Sequence, residues 1–247
     1  MSHSLRVLLA SILPVLIAAC SHVPGPLGGK VSTSRDEWGH RAGARGFSTV
    51  ILDAGHGGKD SGATSRFTGQ REKDLTLDLV HRVRRELSGG VRTVLTRNSD
   101  TFIELDDRVH MVDRHNDAVL VSIHFNSGPS HLAGPEVFYW RVDSYSLGRR
   151  IYEALSHATL EKHANRGLVR RRLRLTRNPQ LASVLVECGY LSHGSEAQLI
   201  ARPEYRDRLA KAIAGAILNQ RAKGDGSFGP LPPPLYAPMS KATDPRE

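Results

Sequence analysis

Three apolar runs in this chain each end on a residue that can bind or serve a metal. They are Ile51-Leu52-Asp53-Ala54-Gly55-His56, Val121-Ser122-Ile123-His124 and Val184-Leu185-Val186-Glu187. A short run that is apolar on both faces reads as a buried strand of a parallel sheet. In open α/β sheets, ligand crevices form at the carboxyl ends of such strands. Between the runs lie amphipathic stretches. Leu75, Leu79, Val83 and Leu87 recur every four residues and predict a helix over Glu72–Leu87, with arginines mostly off the stripe.

The same reading runs through the middle of the chain. Strands are expected at Thr49–Leu52, Val91–Thr96, Ala118–Phe125, Glu136–Trp140 and Ser183–Glu187. Helices are expected at Leu105–His115 and Leu147–His163, with one or two more over Glu196–Gln220. Strands alternating with helices imply a single α/β domain, residues 47–222, with a mostly parallel central sheet covered by helices on both faces.

The ends of the chain differ in kind. Arg6 followed by the apolar run Val7–Ile17 is too short to span a bilayer in a mature protein and reads as a leader over residues 1–19. Ile17-Ala18-Ala19-Cys20 resembles a bacterial lipobox, with Cys20 as the lipidated residue, and Ser21 favours the outer membrane. The other reading is an ordinary secretory leader that contains a Cys. Residues 20–46, rich in Ser, Gly, Pro and charge, read as a tether. Residues 223–247 hold Gly-Pro-Leu-Pro-Pro-Pro-Leu and read as a disordered, Pro-rich tail. With Cys20 lipidated, Cys188 has no intramolecular partner. The chain carries a net charge of +9, which favours anionic partners but does not choose among them.

Two His and a Glu make an open zinc site, and a further Glu can serve as base for the water that the metal activates. His56, His124 and Glu187 fall at strand ends, and Glu72 opens a helix 16 positions after His56, across a polar, Gly-containing loop. From spacing alone the signal is weak, because the ligands come from separate elements. Gly57-Gly58-Lys59-Asp60 is not a phosphate loop, since no Ser or Thr follows the Lys. Cys188 alternates with Glu187 and reads as a buried packing residue.

Taken in order, the motifs resemble the type-3 family of zinc-dependent N-acetylmuramoyl-L-alanine amidases. Asp53-Ala54-Gly55-His56-Gly57-Gly58, Glu72-Lys73-Asp74-Leu75-Thr76-Leu77, Leu95-Thr96-Arg97, Leu105-Asp106-Asp107-Arg108, Ser122-Ile123-His124-Phe125-Asn126 and Val184–Ser192 each match a family segment. The resemblance implies that His56, Glu72 and His124 bind Zn²⁺ and that Glu187 is the catalytic base. It makes Asn126 and Glu136 candidates for substrate contact or support of the site. The expected substrate is the amide joining N-acetylmuramic acid to L-alanine in peptidoglycan, met in the periplasm from an outer-membrane lipid anchor at Cys20. No nucleic-acid partner is expected. The segment from Gly128 to Ala182 looks too short for an inhibitory helix, so no activator protein is expected. Arg97 and Arg108 are expected to be structural ion-pair partners. The run Arg170, Arg171, Arg172, Arg174 has no counterpart in the family pattern. A wall-binding module without activity and a hydrolase of another small amide remain as alternatives.

Overall fold

The computed structural model describes residues 42–159, 167–177 and 179–226. The expected leader, Cys20, most of the tether and the Pro-rich tail lie outside the described residues. Six strands form one sheet in the order β2-β1-β3-β6-β4-β5. They are β1 (Thr49–Ala54), β2 (Arg92–Leu95), β3 (Ala118–Asn126), β4 (Glu136–Tyr139), β5 (Leu168–Arg170) and β6 (Ala182–Tyr190). Strands β2, β1, β3 and β6 run parallel. β4 enters antiparallel to β6, and β5 follows β4 in parallel. The sheet is therefore mostly parallel, as the alternation of elements implies.

Helices cover both faces. On one face, α1 (Glu72–Glu86), α3 (Tyr145–Ala158) and α6 (Pro203–Lys223) pack on alternate residues of the strands, including Val50, Leu52, Val121, Ile123, Val184 and Val186. In α1 the stripe Leu79, Val80, Val83, with Leu87 just beyond the helix, is fully buried, at about 1.5–3 kcal/mol of hydrophobic stabilisation for each side chain. On the other face, α2 (Leu105–Asp113) sets Val109 and Val112 against Ile51 and Leu120. The single-turn α4 (Arg174–Arg177) adds Leu175 to that cluster. A short α5 (Gly194–Ile200) joins β6 to α6. No described helix is long and apolar enough to cross a membrane.

Several boundaries move from the expected ones. β6 runs to Tyr190 rather than stopping at Glu187, and β3 includes Asn126. α3 begins at Tyr145 and gives way at Thr159 to extended backbone with ψ 144°. β5 and α4 have no expected counterpart. The body also reaches beyond 47–222 at both edges. Gly43 N–H donates to Asp225 at 2.6 Å, and Gly46 N–H to the Arg221 carbonyl at 2.8 Å. These bonds dock the last residues of the expected tether on the end of α6.

Candidate metal centre

The site begins with a loop whose shape is fixed from below. After β1 the chain turns through His56, which has φ 62°, the only non-glycine residue with positive φ among the described residues. That conformation is sparsely populated for a side chain with a Cβ and persists only where surroundings enforce it. Two buried arginines do so. Arg108 donates to the carbonyls of Ala54 and His56, both at 2.7 Å. Arg97 donates to the carbonyls of Ala54 at 2.9 Å, Gly55 at 2.8 Å and Lys73 at 2.9 Å. Lys73, also buried, donates to the Gly58 carbonyl at 2.8 Å and pairs with Asp100 at 2.7 Å. Asp100 in turn accepts from Gly58 N–H at 2.7 Å. Three cations thus hold the carbonyls of this one turn.

Arg108 also pairs at 2.7 Å with Asp53, which is wholly buried and accepts from Ser122 at 2.6 Å and Thr96 at 2.5 Å. Burial alone would raise the Asp53 carboxyl, but Arg108 and these hydroxyl donors carry it below its ordinary value. The expectation of structural ion pairing holds for Arg108. Arg97 is structural too, but its hydrogen bonds go to main-chain carbonyls and the Thr76 hydroxyl.

The candidate ligands meet above this turn. Atoms of His56, Glu72 and His124 that could serve as ligands all lie within 4.8 Å of one another. Glu72 Oε1 lies 3.0 Å from His56 Nε2 and 3.0 Å from His124 Nδ1. The two imidazoles meet edge to face, centroids 5.0 Å apart. Glu72 opens α1 as expected. The first amides of that helix find their partners in the preceding loop: Glu72 N–H donates to Ala63 and Lys73 N–H to Ser61. The Glu72 carboxylate receives Ala63 N–H at 3.0 Å and Phe125 N–H at 3.1 Å. Burial pushes its carboxyl up, but hydrogen bonds and charge from His124 and His56 outweigh that and hold it far below the usual range.

Glycine is required where the ligands press on the main chain. A Cβ on Gly55 would stand 2.2 Å from the His124 ring. One on Gly62, where φ is +60°, would stand 2.6 Å from both Glu72 and His56.

Asp60 was not singled out from sequence. Its carboxylate accepts from His56 Nδ1 at 2.8 Å, which leaves His56 Nε2 facing Glu72 and free to bind a metal. A carboxylate behind a ligating imidazole fixes the tautomer and aims the ring. The i, i+4 spacing of His56 and Asp60 gives no clue here, because a loop and not a helix joins them.

Glu187 is half-buried on β6. The strand register sets it opposite His124 on β3 and Glu136 on β4. Glu136 is fully buried, accepting from Tyr190 Oη at 2.7 Å and from Asn126 Nδ2 at 3.3 Å. Cys188 is buried as expected, and burial pushes its thiol well above the ordinary range. The run 170–174 spans the end of β5 and the start of α4. There Arg170 lies 4.8 Å from the Trp140 ring centre and Arg174 pairs with Asp106.

Beside His56 and His124 opens a cavity of about 400 Å³. Charged side chains line it, among them Lys59, Asp60, Glu104 and Arg108, together with Phe102 and Leu175.

Comparison with known proteins points to one family. Residues 50–219 match the family described as N-acetylmuramoyl-L-alanine amidase. The germination-specific N-acetylmuramoyl-L-alanine amidase of Bacillus subtilis is 32% identical, over 71% of this chain and 81% of its own length. The amidase AmiC2 of Nostoc punctiforme superposes with a TM-score of 0.65 at 37% identity, covering 72% of this chain and 98% of that one. The CwlD amidase of Clostridioides difficile, solved in complex with the GerS lipoprotein, gives a TM-score of 0.65 at 32% identity, over 70% and 97%. With the fold, the sequence match and the strand-end cluster in agreement, the chain belongs to the N-acetylmuramoyl-L-alanine amidase family.

Proposed function

We propose that this protein is a zinc-dependent amidase that cleaves the bond between N-acetylmuramic acid and L-alanine in peptidoglycan. The observation that carries the metal is the convergence of two imidazoles and one carboxylate from three separate elements within 4.8 Å. Imidazole and carboxylate suit zinc, and three protein ligands leave a position open. His56, Glu72 and His124 would hold the ion, with Asp60 aiming His56. When bound, zinc supplies a Lewis acid and lowers the pKa of water towards about 7.

The chain's own residues do the rest. Glu187 takes a proton from the attacking water as its oxygen joins the lactyl carbonyl carbon. As the C–N bond breaks, Glu187 returns the proton to the leaving nitrogen of L-alanine. The buried Glu136 holds Asn126 in place from behind, and half-buried Asn126 is the group of the two that can meet substrate. We further propose lipidation at Cys20, outer-membrane anchoring on the periplasmic side, and action without an activator. Support for the last point lies in the described residues between Gly128 and Ala182. They are spent on β4, a 3₁₀ turn at Val142–Ser144, α3, β5 and α4.

The test is mass spectrometry of soluble products from purified sacculi treated with the full chain alone. Free stem peptides with L-alanine at their amino end are expected. Cut sugars or opened peptide crosslinks would refute the bond assignment, and silence until a partner is added would refute independence.

A further inference from the structure

Phe67 is the one large hydrophobic side chain left exposed among the described residues, at 40% of its surface. A lone exposed Phe needs no explanation by itself, but its position does. It sits at the tip of a hairpin closed by a bridge between Thr64 and Arg71. Both feet of that hairpin stand on Glu72. Ala63 N–H donates to the Glu72 carboxylate, and Glu72 N–H donates to the Ala63 carbonyl at 2.8 Å. The tip is built firmly. Ser65 is buried, its N–H donates to Gln70 and its carbonyl accepts from Gly69 N–H, while its hydroxyl accepts from Phe67 N–H. The exposed Arg66 guanidinium lies 4.7 Å from the ring centre. At the ring edge, Gly194 of α5 offers bare backbone, where a Cβ would stand 3.4 Å from the ring.

The two flanks of the centre differ in chemistry. The cavity beside His56 and His124 belongs to the α2 and α4 side and mixes the charged Lys59, Asp60 and Glu104 with Phe102, Ile103 and Leu175, whereas the hairpin tip presents Phe67 and Arg66. The Phe67 hairpin belongs to the α5 side. A substrate cut at an amide between sugar and peptide has two unlike ends. The stem peptide bears ionised groups beside apolar side chains, which suit the mixed lining of Lys59, Asp60, Glu104 and Phe102. The glycan is neutral, with apolar C–H faces ringed by hydroxyls and acetamides. An aromatic ring backed by a guanidinium offers a flat apolar surface with up to five N–H donors behind it.

We propose that Phe67, with Arg66, is a stacking platform for a sugar ring of the glycan strand. This proposal rests on the peptidoglycan reading above and adds which end of the substrate lies on which side of the metal.

The test is equilibrium binding by the full chain to peptide-free glycan strands and, in parallel, to free stem peptide. Phe67→Ala should weaken glycan binding roughly two- to twelvefold, the range that an aromatic contact of about 0.5–1.5 kcal/mol gives. Stem-peptide binding should not change, and Phe67→Trp should keep glycan affinity. Glycan binding that is absent in the wild type, unchanged in Phe67→Ala, or weakened equally with peptide binding would overturn the proposal. Because neither probe is cut, these results stand apart from the amidase reading, which fails instead if sacculi release no stem peptide.

Discussion

The loop at His56 and the hairpin at Phe67 are near neighbours in sequence and are built on opposite principles. In the first, Arg97, Arg108 and Lys73 are buried and aimed at main-chain carbonyls, so a strained ligand conformation is held from beneath. In the second, the main chain is closed by its own hydrogen bonds around the buried Ser65, and Arg66 and Phe67 are exposed. The contrast teaches that a turn carrying a candidate ligand is held by buried cations, whereas the hairpin proposed to meet glycan is held through its main chain.

Breaking the first region should have the larger effect. Arg108→Ala would leave Asp53 buried without its cation and free the carbonyls of Ala54 and His56. The expected cost is about 3–5 kcal/mol of folding stability, read by denaturant unfolding. A loss below about 1 kcal/mol would mean that the turn does not depend on this clamp.

Acid should act through the same group. The Asp53 carboxyl is held below its ordinary value of 3.8 in the folded state. The unfolded chain therefore binds its proton first as pH falls, so the contribution is complete above the ordinary value and disappears as pH drops through the folded one. Stability at pH 7 and 5 should match with respect to this group, then fall below about pH 4. Asp53→Asn should make that acid fall shallower in a pH series of melting curves, and an unchanged slope would remove Asp53 from the account.

The smallest effect sharpens the comparison from the other side. Phe67→Ala should shift folding stability by no more than about 0.5 kcal/mol, as for an exposed position away from core and caps. A shift as large as that of Arg108→Ala would make the hairpin part of the clamp and erase the distinction.

The sheet was legible where burial on both faces writes an unbroken apolar run, as in Val119–Val121 and Val184–Val186. The sheet edge was not. β5 is three half-buried residues ending in Arg170, too short and too polar to show a period, and α4 is a single turn. The meeting of His56, Glu72 and His124 was legible through ordered motifs, not through spacing, since a Cβ at Gly62 would stand 2.6 Å from both Glu72 and His56 where the loop closes on them. Asp60 escaped notice because its role depends on the left-handed turn at His56. The carbonyl-holding role of Arg97 was hidden for a similar reason, as main-chain acceptors leave no mark in a sequence.

One measurement bears most directly on the centre itself: zinc content and turnover of the full chain carrying Glu187→Gln, beside His124→Ala. If His56, Glu72 and His124 hold the metal and Glu187 moves the proton, Glu187→Gln keeps about one zinc while turnover falls on the order of 10²–10⁴-fold, and His124→Ala loses both. Loss of zinc from Glu187→Gln, with zinc retained in Glu72→Gln, would show that the two carboxylates have exchanged roles and contradict the account.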